Sequence, residues 1–172
     1  MLKIAIVGPE SSGKTTICEA LAKHYGAPSV EEIARAYLTE RGGVYHEADL
    51  LQMSWIQAEV GSMREREAPD AKVIFHDTDM ITFKIWSAEK YGRVHEEIER
   101  SVKEVQYDHW LLCRPDIPWE PDPIRENPHD RDRLFSVYEA TLTELQRPYT
   151  ILEGTHKKRM KAATKVIDKL IK

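Results

Sequence analysis

The sequence predicts an α/β fold: a five-stranded parallel sheet flanked by helices on both faces. Three observations predict it. Short apolar runs alternate with longer stretches of helical period. The runs are apolar at successive positions, the pattern of strands covered on both faces. The first run, LKIAIV, flows directly into a loop with two glycines and then into a helical stretch, GPESSGKTT.

The elements follow in order. Residues 2–7 form the first strand, and 14–25 a helix with Ile17, Leu21 and Tyr25 on one stripe, stopped by Gly26 and Pro28. A short strand runs from Ser29 to Glu31. The next helix carries Ile33, Ala36 and Tyr37 and finishes near Gly42-Gly43. Residues 47–67 read as a long helix with Leu51, Trp55 and Ala58 in register and Leu50, Met53, Ile56 and Val60 broadening the stripe. KVIFH, 72–76, is a buried strand. Helices over 80–90 and 94–105 are broken by Gly92, and DHWLLC, 108–113, is the fourth strand. Five of the nine prolines then fall within RPDIPWEPDPIRENPHD, so no regular element survives there. A helix over 131–146 buries Leu134, Phe135, Tyr138, Leu142 and Leu145. YTIL, 149–152, is the fifth strand. A last helix over 156–171 turns Met160, Ala163, Val166, Ile167 and Leu170 inward. Trp55, Trp86 and Trp110 sit in these regular patterns and are expected in the core.

The 172 residues make a single domain, 1–172, with a lid-like segment at 115–131. A chain 41% hydrophobic and 31% charged reads as soluble and globular. A net charge of −4 argues against a nucleic-acid partner. The basic run Lys157-Lys158-Arg159 reads as a solvated helix face. No apolar run approaches the roughly 18 residues of a membrane span, so no membrane partner is expected. Residues 2–8 continue into the loop pattern and are a strand, not a signal peptide. Cys18 and Cys113 lack metal-like spacing and read as buried thiols in a reducing cytosol. The expected location is cytoplasmic, and the sequence does not fix the oligomeric state.

Gly8-Pro9-Glu10-Ser11-Ser12-Gly13-Lys14-Thr15 fits G-x-x-x-x-G-K-[ST] in full, between a strand and a helix. Its glycines let backbone N–H groups turn inward around phosphate oxygens, and the helix aims its positive end at them. The expected ligands are ATP and Mg²⁺, on a P-loop NTPase fold. Gly8, Glu10, Ser11, Ser12, Gly13, Lys14, Thr15 and Thr16 form the ATP cradle. Lys14 reaches the β- and γ-phosphates, and the Thr15 hydroxyl binds Mg²⁺. The second metal carboxylate belongs at the end of a neighbouring buried strand. Asp77 closes V-I-F-H-D and fits. Asp79 points the same way if the chain stays extended; its other reading is the N-cap of the next helix.

The N-K-x-D segment of a regulatory GTPase is absent, because the only asparagine, Asn127, precedes Pro128. A motor needs more chain. A small-molecule kinase remains, and phosphoryl transfer must exclude water. A lid carrying Arg125, Arg131 and Arg133 near the transferring phosphate does so and stabilises its charge. Trp119, flanked by prolines and acids, is expected outside the core and free to stack on a substrate ring.

GPESSGKTT, VEEIAR at 30–35, Gln57, FHDTD at 75–79 and DIPWEPDPIR at 116–125 together resemble the ribosylnicotinamide kinase domain of NadR-type proteins, a branch of the P-loop kinases. The resemblance runs from the phosphate loop to the last helix. It implies that nicotinamide riboside and ATP give nicotinamide mononucleotide and ADP. Bifunctional family members carry a nucleotidyltransferase domain ahead of this one; a first strand at residue 2 leads us to expect the kinase domain without it. By the same resemblance Glu32 takes the 5′-hydroxyl proton, with Asp79 as rival base or ribose ligand. Arg35 binds substrate or pairs with a carboxylate, and Gln57 belongs to the substrate pocket. Trp119 stacks on the cationic nicotinamide ring, Asp122 holds ribose hydroxyls, and Arg125 acts on phosphate. Gly154-Thr155 lie where related kinases pass the adenine. Two alternatives stay open: a kinase for another nucleoside or small molecule, and a nucleotide-dependent binding or switch protein of the same fold.

Overall fold

The computed structural model describes residues 1–122, 124–125 and 129–172. Twelve elements follow one another: β1 (Leu2–Val7), α1 (Lys14–Tyr25), β2 (Ser29–Val30), α2 (Ile33–Glu40), α3 (Glu47–Glu67), β3 (Val73–Asp77), α4 (Met80–Tyr91), α5 (Glu96–Glu104), β4 (His109–Cys113), α6 (Arg131–Glu144), β5 (Tyr149–Leu152) and α7 (His156–Leu170). The five strands pair in parallel in the order β2-β3-β1-β4-β5. The expected five-stranded parallel sheet is therefore present.

β1 lies at the centre because both of its faces are apolar. Ile4 and Ile6 join Ile17, Leu21 and Ile167 on the side covered by α1 and α7. Ala5 and Val7 point the other way, into the larger cluster with Leu50, Met53, Phe83 and Leu142. This is the period-two alternation of a pleated strand serving two cores. Each fully buried Ile or Leu contributes about 1.5–3 kcal/mol relative to exposure. From β1 the chain travels to one edge of the sheet and later to the other. That reversal opens a crevice beyond the carboxyl ends of β1, β3 and β4, where ligands settle in open α/β sheets.

Three expectations about packing change. Trp55 is 51% exposed and not in the core. The buried side of α3 is instead Leu50, Met53, Ser54, Gln57 and Gly61. Small Gly61 lets α3 approach β3 closely, since a Cβ there would stand 3.3 Å from the His76 ring. The second strand ends at Val30, so Glu31 lies outside it. Arg159 is buried at 2% exposure, although Lys157 and Lys158 beside it are exposed. Among the described residues no helix is long and apolar enough to cross a membrane.

Candidate functional site

The crevice is a cleft of about 240 Å³, and the loop between β1 and α1 forms its floor. Gly8 leaves β1 at φ 141°, and a Cβ there would stand 2.6 Å from the Cys113 carbonyl oxygen. No side chain fits, so the loop turns tightly against the end of β4. Gly13, at φ 84°, caps α1 without a side-chain bond, which leaves the first N–H groups of the helix facing the cleft. Ser12 Oγ donates to the Pro9 carbonyl at 2.7 Å and holds the loop's curvature. Lys14 Nζ donates to the Gly8 and Pro9 carbonyls, both at 3.0 Å.

Thr15 Oγ1 donates to Asp77 Oδ2 at 2.6 Å, joining the start of α1 to the end of β3. The other Asp77 oxygen, Oδ1, is buried with no protein partner. Burial pushes the Asp77 carboxyl up, while Lys14 and the Thr15 bond pull it back. A hydroxyl, a carboxylate oxygen and a hard cation's preference for oxygen ligands fit Mg²⁺ held jointly with a nucleotide phosphate. No cluster of three or more His, Cys, Asp or Glu exists among the described residues to hold a metal unaided.

Glu32 precedes α2 and lines the same cleft, half-buried. Gln57 brackets it from α3: its side chain accepts from Ile33 N at 2.9 Å and donates to the Glu31 carbonyl at 3.0 Å. The amide thus pins the backbone on both sides of Glu32, and Glu31 remains exposed. Gln57 itself does not line the cleft. Burial pushes the Glu32 carboxyl above the ordinary range, against the opposing pull of Lys14.

Asp79 takes the capping reading. It accepts from Thr82 N at 3.2 Å, and its Oδ2 accepts from the Trp110 indole at 2.7 Å. It is 1% exposed and absent from the cleft wall, and burial pushes its carboxyl up to about 6. The expectation that it points with Asp77 required an extended chain. Thr78, at φ 89°, breaks that extension. A β-branched residue in this region is strained, costing on the order of 1–3 kcal/mol.

Described residues of the Pro-rich segment and the start of α6 bond to the loop. Pro123, Glu126, Asn127 and Pro128 of the 115–131 lid lie outside the described residues. Glu120 N donates to Ser11 Oγ at 3.0 Å. Arg131 donates to the Ser11 and Ile117 carbonyls at 3.0 and 3.1 Å. Arg125 lines the cleft and donates to the Glu120 carbonyl. Arg35, also on the cleft, pairs with Asp122 at 2.6 Å. Arg35 and Asp122 are therefore ion-pair partners in this structure. Arg133 turns to Glu89 and Asp130. Trp119 does not line the cleft: the Arg125 and Arg131 guanidinium carbons lie 5.8 and 5.6 Å from its ring centre.

The aromatic wall comes from elsewhere. Trp86 on α4 and Tyr138 on α6 line the cleft together with Leu38, Ile85 and Leu134. The Trp86 indole donates to the Tyr45 hydroxyl at 2.8 Å and stacks near Phe83, centroids 6.4 Å apart. These residues went unnoticed as site residues because a helix stripe lining a cleft has the same period as one lining a core. Neither Trp86 nor Tyr138 lies in the first turn of its helix, so the helix starts carry no signal for them.

A family model described as an AAA domain matches residues 3–159. The trifunctional NAD biosynthesis/regulator protein NadR of Salmonella typhimurium is 28% identical over 154 residues, 86% of this chain and 36% of that protein. The chain thus spans about a third of this relative's length. A NadR protein solved in complex with NR superposes with a TM-score of 0.79 at 20% identity, over 98% of this chain and 51% of that one. Deoxyadenosine kinase from M. mycoides with bound dATP gives 0.62 at 15% identity, with both chains fully covered. The architecture is that of these P-loop kinases.

Proposed function

The chain belongs to the AAA-domain family, and from that premise we propose that it transfers the terminal phosphoryl group of ATP to the 5′-hydroxyl of nicotinamide riboside. The products are nicotinamide mononucleotide and ADP, made in the cytoplasm by the single domain 1–172. One observation carries the reading: a single cleft holds the phosphate loop at its floor, Glu32 beside Lys14, and an aromatic wall of Trp86 and Tyr138. Likeness to the NadR protein solved with NR supports the choice of acceptor.

The donor phosphates lie along residues 8–16, with Lys14 released from the Gly8 and Pro9 carbonyls onto the β- and γ-oxygens. Glu32 accepts the 5′-hydroxyl proton. The freed oxygen bonds to the γ-phosphorus as the bond to the β–γ bridging oxygen breaks, and ADP carries away that electron pair. Thr15 and Asp77 hold Mg²⁺, which neutralises charge on the phosphate oxygens when bound. Arg125, close to the cleft, stabilises charge on the transferring group. A cationic nicotinamide ring suits an indole and phenol wall, worth about 0.5–2 kcal/mol per good contact. We assign that wall to Trp86 and Tyr138 and not to Trp119.

The test is direct. The protein is incubated with Mg·ATP and a panel of nucleosides, and new monophosphates are sought. Transfer to nicotinamide riboside supports the reading. Transfer only to another nucleoside overturns the acceptor, and ADP formation indifferent to every acceptor overturns the kinase.

A further inference from the structure

Arg159 is a buried cation with no part in the chemistry above. It sits in the first turn of α7, beneath the phosphate loop. Its Nη1 donates to the Ser12 carbonyl at 2.6 Å, and its Nε to the Gly154 carbonyl at 3.1 Å. Its Nη2 donates to the Arg114 carbonyl at 2.7 Å and to Asp116 Oδ1. The second Asp116 oxygen accepts from Gly154 N. One planar fork therefore ties the phosphate loop, the segment leaving β4 and the loop between β5 and α7. Lysine, a point charge with three donors on a flexible stem, has no such fork.

The bond to Ser12 has a consequence for phosphate binding. In a trans peptide the carbonyl of one residue and the N–H of the next point in opposite directions. Arg159 draws the Ser12 carbonyl to the rear of the loop, so the Gly13 N–H is turned to the front, toward the cleft. The guanidinium also lies close beneath Gly13, where a Cβ would stand 3.4 Å from Nη1. A loop N–H has value as an anion donor only if it is aimed before the anion arrives.

We propose that Arg159, fixed by Asp116, is a positioning residue for the triphosphate donor: it locks the Ser12–Gly13 peptide with its N–H facing the phosphates. The inference rests on the donor half of the function proposed above and is independent of which acceptor is used. Arg159→Lys retains the charge and removes the fork. Asp116→Asn, at a more exposed position, loosens the fork from outside. Binding of Mg·ATP to each folded protein, measured by calorimetry without any acceptor, gives the first readout. The KM for acceptor against that for ATP gives the second.

Loss of a bond to a charged donor predicts about ten-fold weaker ATP binding in Arg159→Lys and a smaller loss in Asp116→Asn. The acceptor KM stays unchanged. A scaffold role alone would lower the melting temperature and leave the ATP affinity of the folded fraction intact; that result overturns the proposal. Equal losses for ATP and acceptor overturn it too. Should Arg159→Lys fail to fold, wild-type ATP affinity in folded Asp116→Asn is the overturning outcome. If the wild-type protein phosphorylates no tested nucleoside, the acceptor reading fails, while the ATP-binding comparison still decides this one.

Discussion

The Trp110 indole N–H donates to Asp79 at 2.7 Å, and with that bond the second acid of Asp77-Thr78-Asp79 is turned away from the cleft. Thr78 at positive φ makes the turn, and Asp79 caps α4. Glu32 lines the cleft with Lys14, and Lys14 pulls on its carboxyl, which is why the proposed reaction gives it the part of base. At saturating substrates, Glu32→Gln is expected to lower kcat by about 10²–10⁴, the usual contribution of a positioned base. Asp79→Asn is expected to lower thermal stability, because an amide has one acceptor oxygen and cannot serve both the Trp110 indole and the Thr82 N–H, and to change kcat by less than about ten-fold. A larger kcat loss in Asp79→Asn would reverse the assignment.

A second expectation concerns the pH profile of the same base. Burial pushes the Glu32 carboxyl above the ordinary range. A base must be ionised to work, so the acid limb of kcat should fall at higher pH than an exposed glutamate gives. The limb should vanish from the residual activity of Glu32→Gln. A limb that persists unchanged in the variant belongs to another group.

Trp86 is held by Tyr45 and Phe83, and so presents a fixed face to the cleft. Trp86→Ala is expected to raise the KM for nicotinamide riboside by about ten-fold, the scale of a desolvated cation–π contact, and to leave the KM for ATP alone. Tyr45→Phe keeps the ring and removes only the hydroxyl that orients the indole, so a smaller rise on the acceptor side is expected. Trp119→Ala should affect the acceptor far less than Trp86→Ala. The opposite ranking would return the stacking role to Trp119.

How much of this was legible in the sequence depended on whether a feature is local. Gly8 to Thr15 is one contiguous motif, and Asp77 closes the short run V-I-F-H-D, so the loop and the strand that brings a carboxylate to it could be read directly. Asp79 could not be settled, because the sign of φ at Thr78 is set by the strand end and not by neighbouring letters. Proline flanks correctly marked Trp119 as outside the core, yet say nothing of which charges occupy its ring. Arg159 stands in a basic run that reads as solvent-facing. Its burial comes from Ser12, Arg114 and Gly154, three loops remote from one another in sequence.

His109 begins β4 at 8% exposure and shares a 2.9 Å hydrogen bond with Thr150 of β5. Burial lowers its pKa below the ordinary value of 6.5. Below that value the unfolded chain binds the proton that the folded protein resists, so stability is complete above the unfolded pKa and declines as pH falls through it. In His109→Gln, which keeps a hydrogen-bonding group toward Thr150, this component is absent. Urea unfolding near pH 7.5 and near pH 5.5 should therefore show wild type losing more stability than the variant on acidification. Parallel losses would mean that His109 titrates alike in both states.

The bond from Thr15 to Asp77 draws two elements onto one point, and Asp77 Oδ1 beside it has no protein partner. Asp77→Asn preserves an acceptor for Thr15 and nearly the same shape, but removes the negative charge a divalent cation needs. The variant should fold, and its half-maximal activity should require about ten-fold more Mg²⁺. A ligand that binds only the folded state raises the melting temperature. Mg·ADP should therefore stabilise the wild-type protein more than ADP alone, and this increment should disappear in Asp77→Asn. An increment of equal size in both proteins would remove Asp77 from the metal site. Because ADP without metal still engages the loop from Gly8 to Thr16, the comparison separates loss of the cation from loss of the nucleotide.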